Sequence, residues 1–182
     1  MREVISRHRT ACDGFSLVVG LGDGHWTSPS PCPGWDARDV VEHVIGFHDV
    51  LLLRPLGTKP ARPKDDPVAR WEVTVPAIRA AIDSAANRSS EGSTGAPEVD
   101  LGKLLPMLTA EVLVHTWDLA RALGVDPRLD PHLCEVSSEI VGPNQESLRS
   151  SGLFGPAVTV PEDADAPTRL VALMGRDPRW AR

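Results

Sequence analysis

Two side chains that could bind a metal ion lie four residues apart in the second half of the chain. Glu111 and His115 belong to the segment Glu-Val-Leu-Val-His, and positions four apart are neighbours on one face of a helix. Apolar residues continue this face at helical spacing, namely Leu104, Leu108, Leu119 and Ala122. Both polar side chains are therefore predicted to point inward, where a carboxylate needs a partner or a metal ion. A buried Glu–His hydrogen bond and an exposed salt bridge are the alternatives.

His43 is the best candidate for a third ligand. It lies on another predicted helix, and Val40, Phe47 and Val50 or Leu51 share its face, so this histidine also interrupts an apolar stripe. Three ligands from two helices would place an ion among the inward side chains of a helical bundle, with open coordination positions. A core histidine satisfied by other polar groups is the alternative.

Length and composition predict one domain over residues 1–182, since 182 residues can bury a core without disulfides. The net charge is −6 and the sequence has no long run of basic residues, so we expect no nucleic-acid partner. The sequence has neither an apolar run of roughly 18 residues, as a membrane span requires, nor the apolar core of a signal peptide, so the expected location is cytoplasmic and not membrane-bound. Three distant cysteines, Cys12, Cys32 and Cys134, are predicted to be reduced, and Cys32 to be inert.

Amphipathic periodicity with capping and stop residues predicts an all-α protein. The predicted helices cover residues 2–21, 36–54, 66–86, 106–123, 130–141 and 167–174. Asp36, Asp66 and Asp130 are the predicted N-caps of the second, third and fifth helices. The fourth begins between Asp100 and Pro106, and the later start is favoured because proline is best tolerated in a first turn. Residues 55–66 are expected to form an exposed, mobile connector, and residues 87–97 a flexible loop.

Three separated motifs occur in the order found in a known family. They are Trp-Asp-Ala-Arg-Asp-Val-Val-Glu-His-Val-Ile-Gly at 35–46, Glu-Val-Leu-Val-His-Thr-Trp-Asp-Leu-Ala-Arg-Ala-Leu-Gly at 111–124, and Gly-Arg-Asp-Pro at 175–178. With these motifs, nearly the whole chain resembles the DinB-like metal-binding proteins related to the mycothiol-dependent maleylpyruvate isomerase metal-binding domain. The resemblance implies a DinB-like four-helix bundle with short extra helices and a C-terminal tail. It also implies His43, Glu111 and His115 as ligands of a divalent metal ion.

A His2Glu ligand set resembles catalytic zinc, which keeps a position open for water or substrate. Zinc is the first expectation, with nickel and iron as alternatives, because nitrogen and oxygen ligands do not select among them. Such an ion lowers the pKa of bound water or thiol, and the family resemblance favours a low-molecular-weight thiol such as mycothiol. We therefore expect a thiol transferase or isomerase acting on a small-molecule substrate; a noncatalytic metal- or ligand-binding bundle is the alternative. Exposed helical faces suggest a homodimer.

Other polar and aromatic residues could support this site. Asp118 could hydrogen-bond a ligand imidazole or contact the loop that carries Trp35. His48 is about 140° around its helix from His43, which predicts a core or rim histidine, with proton transfer as the alternative. His8 is predicted to bond a backbone carbonyl in the core, with a place in the metal cavity as the alternative. Trp26 and Trp117 could line the cavity, but packing in the core is the favoured role because it is the commoner one for buried tryptophan.

Overall fold

The computed structural model describes residues 1–90, 99–145, 150 and 155–182. The described residues form α-helices and connecting segments, with one isolated bridge between Pro29 and Asp36. The helices are α1 (Arg2–Val19), α2 (Ala37–His48), α3 (Pro67–Ser90), α4 (Leu101–Leu123), α5 (Pro131–Val141) and α6 (Ala166–Leu173). A π-helical turn, Asp49–Leu53, continues α2, and a 3-10 turn, Gly142–Asn144, follows α5. The predicted all-α class is confirmed.

Helices α1 to α4 form a four-helix bundle in which α4 is the central element. Both α1 and α2 pack against α4 on one side and against α3 on the other, while α5 and α6 add an outer layer over α4. Every residue of α4 from 108 to 120 is buried. A helix buried on all faces can carry polar side chains only where the fold supplies partners for them, and α4 carries both Glu111 and His115. No helix in the described part of the chain is long and apolar enough to cross a membrane.

The predicted caps of α2, α3 and α5 are confirmed. Asp36 and Asp39 form a capping box at the start of α2, in which each carboxylate accepts from the other residue's backbone N–H. Asp66 and Asp130 cap α3 and α5, each followed by proline in the first helical position. The capping box of Asp36 and Asp39 sets the start of α2 and thereby places His43 in its second turn.

The favoured late start of α4 is wrong. The helix begins at Leu101 with Asp100 as its cap, and Pro106 lies inside it. An internal proline costs about 3 kcal/mol, whereas each fully buried leucine contributes about 1.5–3 kcal/mol. Because Leu101 and Leu105 are both buried, the early start is favoured despite the proline.

Several hydrogen bonds attach the connector over residues 55–66 to the bundle, and its own Arg62 makes three of them. Arg62 donates from Nη1 and Nη2 to the carboxylate of Asp49, at 2.8 and 2.7 Å, and from Nε to the hydroxyl of Thr74. The predicted loop over 87–97 is partly wrong, because α3 continues to Ser90. The rest of that loop, residues 91–97, lies outside the described residues.

Candidate metal centre

The side chains of His43, Glu111 and His115 meet between α2 and α4. Oε2 of Glu111 lies 3.2 Å from Nε2 of His115 and 3.8 Å from Nε2 of His43. The three donor atoms all lie within 4.8 Å of one another. A tetrahedral ion with bonds of about 2.0–2.1 Å separates its donors by about 3.3 Å, so this arrangement fits one divalent ion. The structure thus brings together the three residues selected from the sequence.

The charges at this centre suit a cation. Burial alone would raise the pKa of Glu111, but hydrogen bonds from His115 and His43 lower it to about 2. Burial would likewise lower the pKa of His115, but contacts with Asp118, Cys32 and Glu111 raise it well above its usual value. Glu111 is therefore a carboxylate at neutral pH, and a metal ion would displace the proton that His115 otherwise holds.

Asp118 fixes the orientation of His115 from behind. Its Oδ2 lies 2.9 Å from Nδ1 of His115, off the line of the N–H bond, so the contact is electrostatic more than a well-aligned hydrogen bond. Arg176 donates to the same carboxylate from Nη2 at 2.9 Å and from Nε at 3.2 Å. Burial would raise the pKa of Asp118, but His115 and then Arg176 lower it. With Nδ1 engaged, Nε2 of His115 remains directed at Glu111.

Cys32 joins this network from the loop before α2. Its Sγ lies 3.2 Å from Oδ2 of Asp118 and accepts from Nη2 of Arg176 at 3.3 Å. Both contacts considered for Asp118 are therefore present, one to the imidazole and one to the loop that carries Trp35. The sequence interpretation missed Arg176 and Cys32 as supporting residues; for Arg176, the Gly-Arg-Asp-Pro motif was the available signal.

A cavity of about 730 Å³ opens at the three donors. Its walls include Trp35, Phe47 and Trp180, and the ring of Trp35 lies 4.8 Å from that of His43. The volume falls in the range of small-molecule sites. Neither Trp26 nor Trp117 lines this cavity: Trp117 lines a different cavity beside Arg121, and Trp26 packs against Gly22.

His8 and His48 lie in the core, in a cluster that shares no residue with the candidate centre. The predicted bond of His8 to a backbone carbonyl is wrong, because its Nδ1 contacts the hydroxyl of Thr109 at 3.2 Å. His48 is a core histidine as predicted, and its Nδ1 donates to the carbonyl of Val44 at 2.7 Å.

The fold and the converging donors define a helical bundle of the DinB type with a candidate metal-binding site. Residues 9–120 match the model of the mycothiol maleylpyruvate isomerase N-terminal domain, and the chain belongs to this family. The match includes His43, Glu111 and His115 and ends before the tail that supplies Arg176.

Two relatives come from Mycobacterium tuberculosis: the uncharacterized protein Rv0738 of strain H37Rv and the uncharacterized protein MT0763 of strain CDC 1551. Each is 28% identical over 181 residues, which span 94% of this chain and 97% of the relative. No solved structure matches the chain.

Proposed function

We propose that the protein is a metal-dependent enzyme that uses a low-molecular-weight thiol such as mycothiol, in a transferase or isomerase reaction on a small electrophilic substrate. The main support for this proposal is that two imidazole nitrogens and one carboxylate oxygen converge at an open cavity. Membership of a family whose name includes a mycothiol isomerase supports the thiol.

His43, Glu111 and His115 would hold the divalent ion, with zinc as the proposed metal. When bound, such an ion lowers the pKa of a coordinated thiol, so that thiolate is present near neutral pH. Glu111 contributes one negative charge toward neutralising the ion, and the buried Asp118 keeps the His115 imidazole in the orientation for ligation. Trp35 and Phe47 provide an apolar wall that shields the reacting carbon from water.

A transfer and an isomerisation differ in whether they consume the thiol. A transfer forms one carbon–sulfur bond while the bond to the leaving group breaks with its electron pair, and the thiol proton goes to solvent. An isomerisation consumes no thiol, so the thiol is required but its concentration does not change. Quantifying thiol during turnover therefore separates the two.

Metal content tests the ligand assignment. His43→Ala and His115→Ala should each lower the divalent metal by about one ion per chain relative to wild type, because a two-ligand remnant binds weakly. The matched control is His132→Ala, since His132 is an exposed histidine on α5. Unchanged metal content in both ligand variants would show that these histidines do not hold an ion.

Turnover tests the function. Wild-type protein should react mycothiol with a small electrophile, lose this activity on chelation and regain it on adding zinc. Metal-free protein with undiminished turnover would rule the proposal out. If no thiol binds and metal removal unfolds the bundle, the noncatalytic metal-binding alternative is supported instead.

A further inference from the structure

A second cluster of metal-ligating side chains is buried between α1 and α2. Nε2 of His8 lies 3.3 Å from Nε2 of His48 and 3.6 Å from Sγ of Cys12. The three donor atoms lie within 4.8 Å of one another, and each residue is at most 2% exposed. This cluster plays no part in the proposed reaction.

The hydrogen-bond network assigns the tautomers of both imidazoles. His48 must carry its proton on Nδ1, because the carbonyl of Val44 can only accept. The Thr109 hydroxyl donates to the carbonyl of Leu105 at 2.7 Å, so its oxygen accepts from Nδ1 of His8. Each neutral ring therefore presents a lone pair on Nε2, and the two lone pairs face each other at 3.3 Å.

Two facing lone pairs repel each other unless a proton or a metal ion lies between them. The Cys12 thiol, whose sulfur lies 3.6 Å from Nε2 of His8, can donate to that nitrogen, but this leaves the lone pair of His48 facing it at 3.3 Å. A metal ion would satisfy both nitrogens and the sulfur at once, since neutral imidazole is the form that ligates metals.

We propose that His8, Cys12 and His48 form a second, buried metal site for a thiophilic ion, Zn²⁺ or Cu⁺. Imidazole and thiolate together suit both ions. Tetrahedral bonds of about 2.0–2.1 Å to nitrogen and about 2.3 Å to sulfur place nitrogens about 3.3 Å apart and nitrogen and sulfur about 3.6 Å apart. The distances in the cluster agree with both values.

Charge explains why the cluster includes a cysteine. Thiolate is the form of cysteine that ligates metals, so an entering ion would displace the proton of the Cys12 thiol to solvent. With one thiolate and two neutral imidazoles, Cu⁺ gives a neutral site and Zn²⁺ leaves one positive charge. Neutrality favours Cu⁺ in a dry interior, so the test includes both metals.

Cobalt, a spectroscopic substitute for zinc, provides a readout specific to the thiolate. Full-length protein refolded anaerobically with Co²⁺ should bind two ions per chain, one at the site of His43, Glu111 and His115 and one at the second cluster. The second ion should give a thiolate-to-cobalt charge-transfer band. Cys12→Ser should lose the band and about one ion per chain, with its helical circular dichroism retained. Cys134→Ser is the matched control, because Cys134 is a buried free cysteine outside the cluster.

Two further variants separate this site from the first. His43→Ala should keep the charge-transfer band while losing the other ion, and Cys32→Ser should keep the band because Cys32 lies beside the first centre. In a parallel arm, wild type but not Cys12→Ser should withdraw Cu⁺ from a chromogenic chelator. The site is supported if wild type shows the band or takes up Cu⁺, and if Cys12→Ser is the one cysteine variant that loses this property. If neither metal binds, or if binding is the same in Cys12→Ser, the proposal is wrong.

Discussion

At the scale of single residues, the candidate metal centre depends on how one imidazole is held. His115 contacts Glu111 through Nε2 and Asp118 through Nδ1, so its two ring nitrogens face two different carboxylates. Asp118 is fully buried, and its charge is offset by Arg176. His115, one of the proposed ligands, is thus already held in an orientation suited to an ion, which would favour affinity.

Asp118→Asn should weaken metal binding about 10- to 100-fold, because the amide keeps the shape but loses the charge that orients and polarises His115. Competition with a chromogenic zinc chelator would measure the change. Asp163→Asn, in an exposed turn, should leave the affinity unaltered. Equal affinity in wild type and Asp118→Asn would show that this carboxylate does not support the site.

The core histidines predict how stability depends on pH in the metal-free protein. The pKa of His48 is lowered by burial from about 6.5 to about 4, so between these values the unfolded chain binds a proton that the folded chain does not. The free energy of unfolding should therefore fall as the pH drops from about 6.5 to about 4, by on the order of 3 kcal/mol from this residue.

Urea denaturation at several pH values measures this dependence. The His48→Gln variant should have a flatter profile between pH 4 and about 6.5 than wild type, whereas His132→Gln, at an exposed position, should follow wild type. Parallel profiles for all three proteins would contradict the assignment.

At the scale of elements, α4 carries two of the proposed ligands although it contains an internal proline that disfavours a helix. Pro106 lies five positions after the first residue of the helix, where its ring crowds the carbonyl of Gly102 and no N–H is available to that carbonyl. The helix is nevertheless continuous to Leu123, because its apolar residues are buried against α1, α2 and α5. Tertiary packing therefore outweighs local propensity in this helix.

Pro106→Ala should stabilise the protein by about 2 kcal/mol. The restored hydrogen bond and the relief of crowding exceed the entropy that proline removes from the unfolded chain, which is worth about 0.4–1 kcal/mol. Chemical denaturation would measure the gain. Pro131→Ala is the matched control: Pro131 occupies the first position of α5, where no N–H is needed, and the change should not stabilise. Equal effects of the two substitutions would argue against this explanation.

At the scale of the whole molecule, three distant parts of the chain meet at Asp118. The loop before α2 supplies Cys32, α4 supplies Asp118 itself, and the tail after α6 supplies Arg176. The tail also brings Trp180 to the cavity. The site is therefore completed by the C-terminal segment, although the residues proposed as ligands all lie on α2 and α4.

Arg176→Ala should destabilise the fold by about 3 kcal/mol, at the lower end of the range for breaking a buried ion pair, because the fully buried Asp118 carboxylate loses the guanidinium but keeps its contact with His115. Thermal or urea unfolding would show the loss. Arg179→Ala provides the comparison, since Arg179 lies three residues further along the tail and its ion pair with Asp177 is exposed. That variant should leave stability nearly unchanged, because exposed ion pairs contribute little. A small effect at Arg176 would mean that water replaces its contact.

The sequence alone determined the helical class, the caps of α2, α3 and α5, and the choice of His43, Glu111 and His115. These features depend on spacing along one helix: capping residues act within one turn, and an apolar stripe indicates which polar side chains point inward. Because Glu111 and His115 lie on one face, they needed only a third donor from a neighbouring helix.

Only the tertiary structure decided which residues support those three. The contacts of Asp118 with Arg176 and of His8 with His48 join positions 58 and 40 residues apart. Helical periodicity fixes the face on which a side chain lies, but the path of the chain and the rotation of packed helices fix what that face meets. For the same reason Trp35, and neither Trp26 nor Trp117, lies beside His43.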